Sequence, residues 1–104
     1  MAKTVLLIGA FDSKGTEYSF VRDLLCDYGV DVLTVNTGVL GTTDLFPIEI
    51  EADDVARLAG VTLQSLRENG DRGQAMAVMA QGAEATATKL YAEGRIDAVF
   101  GMGG

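Results

Sequence analysis

Lys14 is the residue whose neighbours best suit it to hold an anion. It lies in Gly9-Ala10-Phe11-Asp12-Ser13-Lys14-Gly15-Thr16-Glu17, directly after the apolar run Val5-Leu6-Leu7-Ile8. A run without alternation fits a central parallel strand covered on both faces. Gly9 ends the run, and Asp12, Ser13 and Thr16 are all N-cap residue types for a following helix. A helix starting there turns its free N–H groups and positive dipole end toward the mouth of the strand. With the charge of Lys14 added, a phosphate or carboxylate is stabilised at that spot. The competing reading is that Asp12 or Ser13 only caps the helix and Lys14 is solvated. Gly9 to Thr16 spells G-x-x-x-x-K-G-T, so lysine and glycine are exchanged relative to a P-loop. The G-x-G-x-x-G of dinucleotide sites is absent as well.

Two further glycine stretches occupy comparable positions. Val30-Asp31-Val32-Leu33-Thr34-Val35-Asn36 reads as a second strand and runs into Thr37-Gly38, with Gly41-Thr42-Thr43 beyond. Asn36 suits either a ligand hydroxyl or, with Gly38, a plain turn. Ile96-Asp97-Ala98-Val99-Phe100 reads as a third strand and runs into Gly101-Met102-Gly103-Gly104. A parallel strand ending in glycines normally leads into another phosphate-facing helix. The chain therefore reads as the front piece of a larger protein.

The elements between these loops follow from periodicity. Tyr18, Val21, Leu24, Leu25 and Tyr28 form a helical stripe, closed by Gly29. The first βαβ unit requires a right-handed crossover. Between residues 42 and 70 the sequence predicts a loop at Pro47, a short edge strand Ile48-Glu49-Ile50, and helices over 53–58 and 63–68, the latter capped by Thr62. Glu49, Glu51, Asp53 and Asp54 read as helix-start charges and solvated faces rather than as a metal site. Asp71 opens the longest helix, to about Glu93, with Met76, Met79, Ala83, Leu90 and Tyr91 on its packed side. Gly73 and Gly82 weaken that helix and mark close packing, or room for a ligand at Gly73.

Composition narrows the function. The 104 residues are 48% hydrophobic, enough for one domain with a real core. The net charge of -7 argues against nonspecific binding to DNA or to anionic membranes, and leaves room for one local anion site. There is no histidine, and Cys26 is the single cysteine, so disulfide frameworks and structural zinc are excluded. Cys26 falls in the apolar helical pattern and reads as a core residue. The N-terminal apolar run is too short for a signal peptide, and no run has transmembrane length, so a cytoplasmic protein is expected.

Four motifs now stand in order: Gly9 to Glu17, Gly38-Val39-Leu40-Gly41, Gly70-Asp71-Arg72-Gly73, and Gly101-Met102-Gly103-Gly104. With them the chain resembles the ATP-binding domain family typified by the tomato mosaic virus resistance protein, whose bacterial members are grouped as uncharacterised protein family 0261. The resemblance covers essentially the whole chain. It implies a Rossmann-like α/β domain that binds ATP, with magnesium as the companion ion. Gly9, Asp12 and Lys14 match the first loop, Gly38 the second, and Gly101, Gly103 and Gly104 the start of the third. Asn36 stands where the family commonly has aspartate. Members are several times longer, which again makes this chain an N-terminal portion.

The combined expectation is a three-layer α/β domain with a parallel sheet in the order 2-1-3 and a ligand at the carboxyl ends of the strands. The favoured function is an ATP-binding module of a larger cytoplasmic protein. One alternative is part of an enzyme acting on a small acidic or sugar-like metabolite, with Asp12, Glu17 or Lys14 as the available base. Another is a scaffold whose glycines serve packing only. Association into a homo-oligomer, through open sheet edges or the rest of the longer protein, is expected; DNA and membranes are not expected as partners.

Overall fold

The computed structural model describes residues 3–101. The strands are β1 (Thr4–Gly9), β2 (Asp31–Asn36) and β3 (Ala98–Phe100), and the helices are α1 (Phe11–Asp27), α2 (Ala52–Leu58), α3 (Leu63–Asn69) and α4 (Arg72–Ala92). The sheet order is β2-β1-β3. Both pairings are parallel, with Leu6 opposite Leu33 on one side and Val99 on the other. The uniformly apolar strand therefore takes the centre, as its pattern required, and Leu6 and Leu7 are fully buried.

Alternation along β1 divides the interior into two layers. Leu6, Val35, Val55, Leu66, Met79 and Leu90 pack on the face covered by α2, α3 and α4. Leu7, Phe11, Tyr18 and Phe46 pack on the α1 face. There Phe11 meets Tyr18 and Phe46 edge-on, each with ring centroids 5.0 Å apart, a geometry that favours the quadrupoles. The chain crosses from one face to the other between β2 and β3, so the switch point of the sheet lies between β1 and β3.

The short helices follow their sequence signals. Thr62 caps α3 by accepting from Ser65 N, and Asp71 caps α4 by accepting from Gln74 N at 3.0 Å. The segment at residues 48–50 forms a parallel bridge, Val35 to Ile50, against the outer edge of β2. Among the described residues no helix is long and apolar enough to cross a membrane.

Three local expectations are corrected. α1 begins at Phe11, with Ala10 in the N-cap position and no side-chain cap, so Asp12, Ser13 and Thr16 are not caps. A tertiary contact takes the place of the cap, because the Phe11 N–H donates to Asn36 Oδ1 at 3.0 Å. Cys26 is exposed, as are Leu24 and Tyr28. Phe11, Tyr18, Val21 and Leu25 face the sheet instead. The packed stripe of α4 is Ala75, Met79, Gly82, Thr86 and Leu90. Met76 and Tyr91 each stand one position beyond it, and a rotation of about 100° per residue carries them into solvent.

Candidate functional site at the carboxyl edge of the sheet

Parallel pairing of all three strands brings Gly9, Gly38 and Gly101 to one edge of the sheet. The loops are tied together by hydrogen bonds. Thr37 N donates to Gly9 O at 2.8 Å. A methyl group added at Gly101 would lie 3.4 Å from Ile8 O, so the third loop starts against the end of β1. Gly103 and Gly104 lie outside the described residues.

Asn36 is the hub. It is fully buried at the end of β2. Its Oδ1 accepts from Phe11 N at 3.0 Å and from Gly38 N at 2.8 Å. Its Nδ2 donates to Gly41 O at 2.9 Å and to Glu51 Oε1 at 3.0 Å. Two acceptor lone pairs and two donor hydrogens are thus all used. Of the two readings of this residue, the turn-forming one describes the observed contacts. Glu51 extends the network, because its Oε2 accepts from Thr42 Oγ1 at 2.7 Å while its side chain caps α2. From the sequence Glu51 reads only as a helix-start charge, since a contact fifteen positions away leaves no local signal.

Asp12 sits in the first turn of α1 with its side chain under the second loop. Its Oδ2 accepts from Leu40 N at 3.2 Å. A Cβ on Gly38 would fall 2.5 Å from Asp12 Cγ, so only glycine lets the loop descend onto this carboxylate. Gly9 has a packing role of the same kind: a Cβ there would meet the Tyr18 ring 2.2–2.5 Å away. Tyr18 in turn donates its hydroxyl to Ile8 O at 2.7 Å.

Lys14 is half-buried, and its backbone (φ -119°, ψ 19°) interrupts the helical geometry of α1. Its ammonium makes no hydrogen bond or ion pair among the described residues. The backbone donors of the turn are more fully used than a free helix N-terminus would allow. Phe11 N goes to Asn36, and Ser13 N and Lys14 N both go to Ala10 O. The local positive charge available to an anion is therefore that of Lys14. Among the described residues no three histidine, cysteine, aspartate or glutamate side chains are grouped as metal ligands.

A central parallel strand flanked by helices on both faces, with its loops gathered at the carboxyl edge, defines a partial Rossmann-like α/β protein. The chain belongs to the uncharacterised protein family UPF0261, whose N-terminal domain it matches over residues 3–104. It is 33% identical to a UPF0261 protein of Clostridium tetani over 104 residues, which is 100% of this chain and 26% of that protein. It is 34% identical to a UPF0261 protein of Brucella suis over 100 residues, 96% of this chain and 24% of that protein. A UPF0261 protein of Mesorhizobium japonicum is 31% identical over 104 residues, again covering 24% of its length. The chain thus spans about a quarter of the length of the curated relatives it matches. No solved structure is a significant match.

Proposed function

We propose that this chain is part of an ATP-binding domain, with the triphosphate held at the carboxyl edge of the sheet. The observation that carries the reading is Lys14, half-buried as a residue and with no side-chain partner among the described residues, in the first turns of the helix that follows β1. A cation with no partner among the described residues keeps its charge available to an anion. The switch point between β1 and β3 is where open α/β sheets receive ligands. The resemblance of the four loop motifs to the family typified by the tomato mosaic virus resistance protein supplies the choice of ATP among anions.

Lys14 would meet phosphate as a point charge. Gly9 and Gly38 would shape the edge through their packing on Tyr18 and Asp12, and the exposed Gly101 would let the ligand approach closely. Magnesium bound to a triphosphate takes most of its ligands from phosphate and water and needs only one or two carboxylates. Asp12 is the carboxylate at this edge with one oxygen left over, since Leu40 N uses only its Oδ2. Gly103 and Gly104, the remaining glycines of the third motif, belong to the proposal by sequence alone. Association into a homo-oligomer belongs to the same proposal, because β3 leaves an unpaired outer edge among the described residues.

Isothermal titration of ATP–magnesium, ADP and adenosine tests the reading. Saturable binding that weakens from ATP to ADP and is lost with adenosine supports it. Equal binding of all three, or none, sinks it. Sugar acids in a parallel thermal-shift panel represent the enzyme alternative.

A further inference from the structure

The opposite, amino edge of the sheet carries an open cleft of about 640 Å³ whose lining includes Arg22, Asp31, Val32, Leu33 and Arg95. Arg22 comes from α1 and Arg95 from the turn between α4 and β3, so the lining takes one arginine from an element on each face of the sheet. Arg22 is half-buried and forms no hydrogen bond or ion pair among the described residues, in a chain of net charge -7. Arg95 has only an exposed contact with Glu93 at 3.8 Å, too long and too solvated to occupy it.

The edge of β2 adds a backbone donor. Asp31 N and Thr37 N point toward β1, donating to Lys3 O and Gly9 O. With a period of two, the amides of Val32, Thr34 and Asn36 point outward. Asn36 N is taken by Ile50 O at 2.9 Å, and Thr34 N by the Glu49 carboxylate at 2.8 Å. Val32 N has no such partner on its outer side among the described residues. One step up the same edge, then, a carboxylate already caps an outward amide. At Val32, a residue of the cleft lining, the outward amide has no such partner among the described residues.

We propose that this cleft binds a compact dianion, a small dicarboxylate in the first instance. One carboxylate would accept from Val32 N and Arg22, as Glu49 does from Thr34 N, and the second would meet Arg95. Val30, Val32 and Leu33 give the carbon skeleton an apolar wall. Asp31 also lines the cleft and opposes any anion there, so the two arginines must outweigh it. The site is separate from the nucleotide reading, which concerns the other edge.

The test is a titration of the ¹⁵N-labelled protein with succinate, with inorganic phosphate, and with sodium chloride at matched ionic strength. Saturable shifts centred on Val32 and Leu33 with succinate, absent with chloride, are expected. Arg22→Gln and Arg95→Gln should each weaken binding by about tenfold to a hundredfold, the effect of one charge-assisted contact. Arg57→Gln, an exposed cation outside the cleft lining, should leave it unchanged. The same shifts with phosphate, at equal or higher affinity, would keep the dianion site and assign it to phosphate. Arg95 is exposed, so its variant remains informative even if Arg22→Gln fails to fold. Non-saturating shifts, shifts elsewhere, or undiminished binding in Arg95→Gln would overturn the proposal.

Discussion

Asn36 Oδ1 accepts the N–H of Phe11 at 3.0 Å, which fastens the end of β2 to the first residue of α1. This bond does for α1 what a side-chain cap does elsewhere, and it does so from twenty-five positions away. It also explains why the first loop needs no local capping residue.

Replacing Asn36 should therefore destabilise the whole carboxyl edge. Asn36→Leu would leave Phe11 N and Gly38 N without their acceptor in a buried site. A loss of about 3 kcal/mol is expected from orphaned donors of this kind. Asn36→Asp keeps the acceptor but sets a carboxylate against Glu51 and Gly41 O, where an amide donor stood. It should cost less than leucine at low pH and more as the pH rises. Ionisation there places a second negative charge beside Glu51, so stability falls as the pH rises. Urea unfolding at several pH values measures both.

Gly38 and Asp12 should be energetically coupled. Gly38→Ala would drive its methyl into the Asp12 carboxyl group and break the bond to Leu40 N, costing about 1–3 kcal/mol. Asp12→Ala removes the nearer obstacle and leaves Asn36 Oδ1 at 3.0 Å. The double variant should be more stable than the sum of the singles predicts, by about 1 kcal/mol. Strict additivity in a double-mutant cycle would contradict the contact.

The two glycines of α4 should respond in opposite directions. A Cβ on Gly82 would lie 2.2 Å from Val55 O, so Gly82→Ala must push α4 away from α2 at a cost of about 1–3 kcal/mol. Gly73 is exposed, and a Cβ there would only touch Asp71 Oδ1 at 3.5 Å. Gly73→Ala should stabilise by about 0.5 kcal/mol, since alanine narrows the unfolded ensemble and suits a helix. Thermal melts of the two variants side by side decide this.

Lys14→Ala should leave stability within about 0.5 kcal/mol of wild type, because no partner is orphaned. ATP affinity should fall by about tenfold to a hundredfold, equivalent to about 1.5–3 kcal/mol. Lys14→Arg should recover only part, since a planar fork does not replace a compact ammonium. Adenosine is the control that should not distinguish the variants. Unchanged ATP affinity would return Lys14 to a merely solvated role.

The sequence by itself determined the elements whose signals are local. The apolar run Val5 to Ile8 required a central strand. Thr62 and Asp71 marked the starts of α3 and α4 within their own first turns. With that strand central the order 2-1-3 followed, with the glycine loops on one edge. Tertiary structure alone decided what depends on distant partners. It chose which side of α1 faces the sheet, and so left Cys26, Leu24 and Tyr28 in solvent. Gly38 became a close-approach glycine because Asp12 lies under it, and Asn36 became the hub because Phe11, Gly41 and Glu51 converge on one amide. Periodicity and caps are written within a few residues of where they act. Steric contact and hydrogen-bond satisfaction between remote segments exist only once the chain has brought them together.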